Sequence, residues 1–323
     1  MSDDTKTVVS VLGLGTMGHG IAQAFASRGI RVRGFDALPT ARNSLLGRVR
    51  HNLNQFVRVG LLPADQVEPT LARITVHDNL EAACRPATFV VEAVAEDLAV
   101  KQALLEEIES YVGEETILAS NSSSFPISQS GSRLKRPQRA LVTHWFNPPH
   151  IVPTVEIVPS PLTSEHVTQA TLALHRRIGK LAVVLRRELP GFLVNRVQVA
   201  VMREVWDLLA KGVASAEDID TAIQGSMGFR LAVLGPLKIQ DFGGLDIQAA
   251  VYRNLCPEIC SGTDLPAVIS RAVDDGHIGF KAGRGFYSYA DGQADQILAE
   301  RDERYLALLN LLGGPSTHDG PSP

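Results

Sequence analysis

The run Val8-Val-Ser-Val-Leu12, then Gly13-Leu-Gly15-Thr16-Met17-Gly18, then an amphipathic stretch from His19 to Arg28 constrains the fold more than any other part of this chain. A short, mostly apolar run reads as a buried strand, the glycines as a turn, and the apolar spacing that follows as a helix stopped by Gly29. Ile30-Arg-Val-Arg-Gly-Phe-Asp36 reads as a second strand ending on a carboxylate, and a helical pattern occupies about 40–58. Further strand candidates are 73–76, 88–92, 116–119, 140–144, 154–158 and 181–185. Strands alternating with helices imply a largely parallel sheet covered on both faces.

Near Arg186-Arg-Glu-Leu-Pro190-Gly191 the pattern changes, and helical periodicities dominate from Phe192 onward. Helices are expected at about 192–211, 215–227, 236–254 and 264–275, with Ser215 as a cap before Asp218. A last helix is expected over 295–312, followed by a disordered tail. At 323 residues the chain suits two domains. The predicted architecture is α/β: a Rossmann-type doubly wound sheet over 1–188, an all-α C-terminal domain over 189–312, and the tail 313–323.

Gly13-x-Gly15-x-x-Gly18 has the spacing of a dinucleotide fingerprint, whose glycines allow a tight turn and let backbone amides approach a pyrophosphate at a helix N-terminus. Thr16 and Met17 complete that turn, and Asp36 ends the next strand, where a carboxylate accepts ribose hydroxyls. A carboxylate there repels the 2'-phosphate of NADP, and Ala37 follows it rather than an arginine, so NAD is the expected cofactor. Arg33 and Arg42 are close enough in sequence to relieve that repulsion, which keeps NADP as the alternative.

In Thr143-His-Trp-Phe-Asn-Pro-Pro-His-Ile-Val-Pro-Thr-Val-Glu-Ile-Val-Pro159, His144 and Glu156 flank a rigid Asn147-Pro148-Pro149 turn. Hydride transfer from a secondary alcohol needs a base for the hydroxyl proton, and imidazole suits that task near neutral pH. His144 ends a predicted strand, where open α/β sheets place ligands, and Glu156 can hold its other ring nitrogen. The chain has nine histidines, so His144 stands out only by its company.

A formal charge of -4 gives no basic surplus for nucleic acid. The N-terminus lacks a signal-peptide pattern, and no apolar run approaches the roughly 20 residues that span a bilayer, so a cytoplasmic protein is expected, with no membrane association. Cys84, Cys256 and Cys260 are an odd number, which argues against a disulfide framework, and Cys256 and Cys260, four apart, read as half of a metal site with no second pair, so ordinary packing or surface cysteines and no metal are expected.

These residues resemble the 3-hydroxyacyl-CoA dehydrogenase family over nearly the whole chain. The likeness rests on the glycine turn, Val90-Val-Glu-Ala-Val-Ala-Glu96-Asp with Lys101, Ser120-Asn121-Ser-Ser123-Ser, His144-Trp-Phe-Asn147-Pro, Val155-Glu156, Pro190-Gly191-Phe-Leu-Val-Asn195-Arg, and Lys281-Ala-Gly-Arg-Gly-Phe-Tyr287. The resemblance implies that His144 is the base, Glu156 its partner, and Ser123 and Asn195 the groups that position substrate. It also implies that Glu96, Lys101 and Lys281 line the cofactor site, that Asn147 lies on the substrate side, and that the helical domain forms a homodimer.

Two stretches depart from the acyl-CoA members. Where those resemble a lysine-rich arm, this chain has Asn54-Gln-Phe-Val-Arg58-Val-Gly-Leu-Leu-Pro63-Ala-Asp, with Arg48 and Arg50 as partial substitutes. Gly228-Phe-Arg230-Leu-Ala-Val-Leu-Gly235-Pro236, the Asn147-Pro-Pro turn and Val158-Pro-Ser-Pro161 resemble instead the L-gulonate 3-dehydrogenase and lambda-crystallin branch, with carnitine dehydrogenase nearby. Arg230 could clamp a free carboxylate, because guanidinium matches it with two parallel hydrogen bonds. The expectation is an NAD-dependent oxidoreductase for a short L-3-hydroxy acid, gulonate-like. The alternatives are 3-hydroxybutyryl-CoA by the same mechanism, and a non-catalytic crystallin-like or NAD-sensing role.

Overall fold

The structure, a computed structural model, describes residues 7–289 and 292–312. It divides into two units, Met1–Leu193 with Arg301–Pro323, and Val194–Glu300.

In the first unit eight strands form one sheet: β1 Val8–Leu12, β2 Arg31–Phe35, β3 Ile74–His77, β4 Phe89–Glu92, β5 Ile117–Ser120, β6 Ala140–Trp145, β7 Thr154–Pro159 and β8 Leu181–Val184. Their order is β3-β2-β1-β4-β5-β6-β7-β8. Neighbours from β3 to β6 are parallel; β7 turns back antiparallel to β6, and β8 follows β7. The reversal follows from the connections, since the short turn between β6 and β7 permits only a hairpin, whereas parallel pairs need a longer crossover.

The helices of this unit are α1 Gly18–Ala26, α2 Pro39–Arg58, α3 Val67–Ala72, α4 Leu80–Cys84, α5 Leu98–Glu109, α6 Ile127–Ser130 and α7 Glu165–Arg177. Side chains alternate across the central strands. Val9, Val11, Val91 and Leu141 point to the face packed by Ile21 and Phe25 of α1 and Leu45 and Val49 of α2. Leu12, Val90, Leu118 and Val142 point to the other, against Leu105 and Ile108 of α5. Phe25 is fully buried, which is worth about 1.5–3 kcal/mol relative to exposure.

The second unit holds α8 Val194–Ala210, α9 Ala216–Ile223, α10 Phe229–Leu231, α11 Pro236–Gly243, α12 Leu245–Leu255 and α13 Ala267–Asp274. Ser215 caps α9 as expected, accepting the Asp218 N–H at 3.1 Å. The single helix expected over 236–254 is two, because Gly244 adopts φ 84°, outside the helical region. A π-helical turn, Gln224–Gly228, replaces the end of the helix expected over 215–227. The last helix, α14, spans Ala294–Leu311. The sequence places all of it in the second domain, but Arg301 onward groups with the first unit, where Leu306 and Leu309 pack with Ile151, Phe56, Val59 and Leu61. The expected tail 313–323 lies outside the described residues. Among the described residues no helix is long and apolar enough to cross a membrane, and no group of side chains could hold a metal ion.

Candidate active site

The glycine turn sits between β1 and α1, under a tight local constraint. Gly13 has φ 89°, and a Cβ there would lie 2.5 Å from the Ala93 carbonyl oxygen; a Cβ on Gly18 would lie 1.7 Å from that of Gly13. Gly15, by contrast, faces open space, and Thr16 beside it is exposed, while Met17 packs partly against the core. The turn is thus closed toward the sheet and bare on the side from which a pyrophosphate approaches. Asp36 follows β2, its Oδ2 accepting the Leu14 N–H at 2.6 Å and its Oδ1 the Leu38 N–H at 2.8 Å.

The nearby arginines are committed to the protein itself. Arg33 donates to the Ala82 carbonyl and Arg42 to those of Asp36 and Ala37. Arg48, from α2, donates to the Leu14 and Gly15 carbonyls at 2.5 and 3.1 Å, strapping the glycine turn. Arg50 pairs with Glu68.

After β4 and β5 a polar cluster braces the same end of the sheet. Buried Lys101 donates to Glu92 Oε1 at 2.8 Å and lies 3.3 Å from Glu96 Oε2. Ser120 donates to Glu92 Oε2 at 2.6 Å. Glu96 Oε1 accepts from the Ser122 and Ser124 hydroxyls at 2.7 Å and from the Ser123 and Ser124 amides at 2.9 Å. Burial alone would raise the Glu96 pKa, but these hydrogen bonds and the Lys101 charge outweigh it and hold the carboxyl at about 2. Glu96 therefore shapes the turn that carries Ser123. Lys101 is 1% exposed, and what it reaches is this pair of carboxylates.

His144 and Glu156 face each other directly in the antiparallel β6–β7 register. Nδ1 of His144 lies 2.8 Å from Glu156 Oε2, both residues buried. Glu156 Oε1 accepts the Leu193 N–H at 3.2 Å. The imidazole packs against Phe146 and Phe192, with ring centroids 4.6 and 5.3 Å away. Phe192 has φ 53°, a left-handed conformation that costs a non-glycine residue about 1–2 kcal/mol. It places its ring on His144 while the next amide holds Glu156. Asn121 Oδ1 accepts the Trp145 N–H at 3.0 Å, tying the Ser122–Ser124 turn to β6, the strand of His144. Because β5 and β6 are parallel, Ser123 and His144 emerge toward the same, carboxyl end of those strands.

The first unit thus places Gly13, Gly15, Thr16, Met17, Gly18, Asp36, Glu96, Lys101, Ser123 and His144 at or beyond the carboxyl ends of its parallel strands, and the antiparallel β7 brings Glu156, near its amino end, beside His144. Exposed Asn147 begins the β6–β7 turn, joined to Pro148 by a cis peptide bond. Asn195 lies in the first turn of α8, Arg230 in α10 with its Nε on the Ser226 carbonyl, and Lys281 in the turn Phe280–Ala282. These three belong to the second unit. Glu92, Phe192 and the Leu193 amide received no role from the sequence. A carboxylate closing an otherwise apolar strand was the available signal for Glu92; nothing local announced the other two. Trp145 packs in the core between Phe25 and His175.

Residues 8–189 match the family model for the 3-hydroxyacyl-CoA dehydrogenase NAD binding domain, and residues 191–289 that for the 3-hydroxyacyl-CoA dehydrogenase C-terminal domain. The chain belongs to the 3-hydroxyacyl-CoA dehydrogenase family. It is an NAD-dependent oxidoreductase of that family, and its first unit is the NAD-binding domain. A 5-formyl-3-hydroxy-2-methylpyridine 4-carboxylate 5-dehydrogenase of Mesorhizobium japonicum is 33% identical over 95% of this chain and 98% of its own length. A lambda-crystallin homolog of Bos taurus is 36% identical over 71% of this chain and 72% of its own. The crystal structure of a 5-formyl-3-hydroxy-2-methylpyridine 4-carboxylic acid 5-dehydrogenase, described as an NAD+-dependent dismutase, superposes with a TM-score of 0.89 at 31% identity, covering 95% of this chain and 98% of that one.

Proposed function

We propose that this enzyme oxidises the 3-hydroxyl of a short L-3-hydroxy acid, gulonate-like, to the 3-oxo acid, with His144 as base and Glu156 as its orienting partner. The observation that carries this reading is the buried 2.8 Å contact between His144 Nδ1 and Glu156 Oε2. With Nδ1 engaged, Nε2 is the nitrogen left to take the hydroxyl proton, and the carboxylate stabilises the imidazolium that forms. Bound NAD supplies the hydride acceptor. Gly13, Gly15, Thr16, Met17 and Gly18 would cradle its pyrophosphate, Asp36 would take its ribose hydroxyls, Glu96 and Lys281 would line its site, and Lys101 would act on that site from behind, through its ion pair with Glu96. Ser123 hydrogen-bonds the substrate oxygen, Asn195 and Asn147 position the substrate, and Arg230 clamps its carboxylate.

A free acid is favoured over a thioester because the arginines that could meet coenzyme A phosphates are already engaged, Arg48 on the glycine turn and Arg50 on Glu68. The Mesorhizobium relative is itself named for a free carboxylate. The family name keeps 3-hydroxybutyryl-CoA as the second reading.

NADH formation with 3-hydroxybutyrate, gulonate, carnitine and 3-hydroxybutyryl-CoA decides between them. A free hydroxy acid is expected to turn over, and His144→Ala to lower kcat on the order of 10²-fold or more. Undiminished turnover in His144→Ala would refute the mechanism. Efficient thioester turnover that Arg230→Ala leaves unchanged would refute the substrate class.

A further inference from the structure

A cavity of about 510 Å³ opens in the first unit among α1, α2, the β6–β7 turn, the α7–β8 connection and the end of α14. Neither His144 nor Glu156 lines it, nor does any glycine of the cofactor turn. Its walls are divided almost evenly between polar and apolar atoms, and Leu53, Phe56, Leu62, Ile178 and Leu309 supply much of the apolar part. Into this setting the fold places Lys180, which is 8% exposed. Its Nζ donates to the Pro149 and Val152 carbonyls, each at 2.7 Å, and lies 5.1 Å above the Trp145 ring. An ammonium has three donors, and two are used. No aspartate or glutamate lines the cavity, so this buried cation has no counter-charge there, and Arg28 at the same wall adds a second positive group.

His150 sharpens the pattern. Both of its ring nitrogens are buried and without a hydrogen-bond partner. Burial pushes its pKa down to about 3, so the ring is neutral and offers one donor and one acceptor. Burial likewise pushes Lys180 down to about 7, with the Arg28 charge adding to the effect. A buried ammonium without an anion and an imidazole without partners are costly to keep unless something satisfies them. An apolar side formed by Leu53, Phe56 and Leu62 next to the cationic group of Lys180 suits a molecule that has an apolar body and an anionic head, and the volume lies in the range of small-molecule sites.

We propose that this cavity is a second ligand site, separate from the His144 centre, for a small amphipathic organic acid whose carboxylate meets Lys180 and His150 and whose aliphatic or aromatic body lies against Leu53, Phe56 and Leu62. Such a ligand would rest on the same turn that joins the two strands carrying His144 and Glu156, because Lys180 grips that turn by two of its carbonyls.

Titration calorimetry with octanoate as the probe, on the full chain with NAD absent and then saturating, tests the assignment. One octanoate per chain is expected, unaffected by NAD, with 1-octanol at least tenfold weaker. Lys180→Met removes the charge, and Leu62→Trp fills the cavity while leaving the Lys180 contacts in place; each should weaken octanoate at least tenfold. Arg230→Ala should leave it unchanged. Absence of octanoate binding to the parent protein would overturn the proposal, as would equal affinity in Leu62→Trp, displacement by NAD, or loss in Arg230→Ala, which would assign the acid to the reaction site.

Discussion

His175 and His150 are held in the fold without charge, and that fixes how the protein responds to acid. His175 is fully buried, its Nδ1 on the Thr171 carbonyl at 2.8 Å and its ring among Phe25, Phe89 and Trp145. Burial pushes it down to about 4, against the hydrogen bond to Thr171, and pushes His150 to about 3. Between those values and the ordinary 6.5 the unfolded chain binds protons that the folded chain does not, so stability falls as pH drops through that window. For His175 alone the loss approaches about 3 kcal/mol at the acid end, at roughly 1.4 kcal/mol per unit. Glu96 acts at lower pH: its contribution is whole above 4.5 and is lost as pH falls toward about 2. Urea unfolding across pH 6.5 to 4 should show the decline, and His175→Leu should flatten it; an unchanged slope would mean that His175 is charged in the fold. At Glu156 the expectation concerns turnover. Glu156→Gln keeps the shape but loses the charge that stabilises imidazolium and opens the other tautomer, so kcat should fall on the order of 10²- to 10⁴-fold with little change in NAD affinity. Measured kcat near the parent value would remove Glu156 from the mechanism.

Among the elements, α2 is expected to bear on the cofactor without touching His144. Through Arg48 it grips the Leu14 and Gly15 carbonyls, which holds the glycine turn in place. Arg48→Ala should therefore raise KM for NAD severalfold and leave kcat nearly unchanged; a drop in kcat at unaltered KM would contradict the strap. Elements of this first unit were readable because most strands are short apolar runs, and β2, β3 and the first half of β7 alternate apolar with polar residues; all eight form where the pattern put them. The dyad was readable too, since β6 and β7 pair in the register that sets His144 opposite Glu156. Lys101 carried a signal that a motif reading passes over: Lys101, Leu105 and Ile108 share the buried face of α5, so the lysine points inward to Glu92. The left-handed Phe192 and its neighbour's amide on Glu156 were not readable, because a contact between positions so far apart in the chain leaves no local pattern. The return of α14 to the first unit is of the same kind, decided by where Leu306 and Leu309 find apolar partners.

The two units differ sharply in how they hide apolar surface. The first has buried clusters on both faces of its sheet. In the second, Ile219 is the only buried hydrophobic residue among those described, while Leu237 is 81% exposed and Phe229 and Phe242 are each 72% exposed. Apolar area left in water forgoes about 25 cal/mol per Å², and so many exposed large apolar side chains in one unit favour an interaction surface. We therefore expect a second copy of the chain to cover them, in the two-fold arrangement commonest among soluble oligomers, where one self-complementary face serves both subunits. The expected outcome is a dimer at micromolar concentration by sedimentation velocity. Leu237→Asp with Phe242→Asp would place unpaired charges on that face, and should shift the protein toward monomer and lower the melting temperature of the second unit while NAD binding by the first survives. A parent protein that sediments as a monomer at these concentrations would show that this surface has no such partner, and the helical unit would then need some other cover to hold its fold.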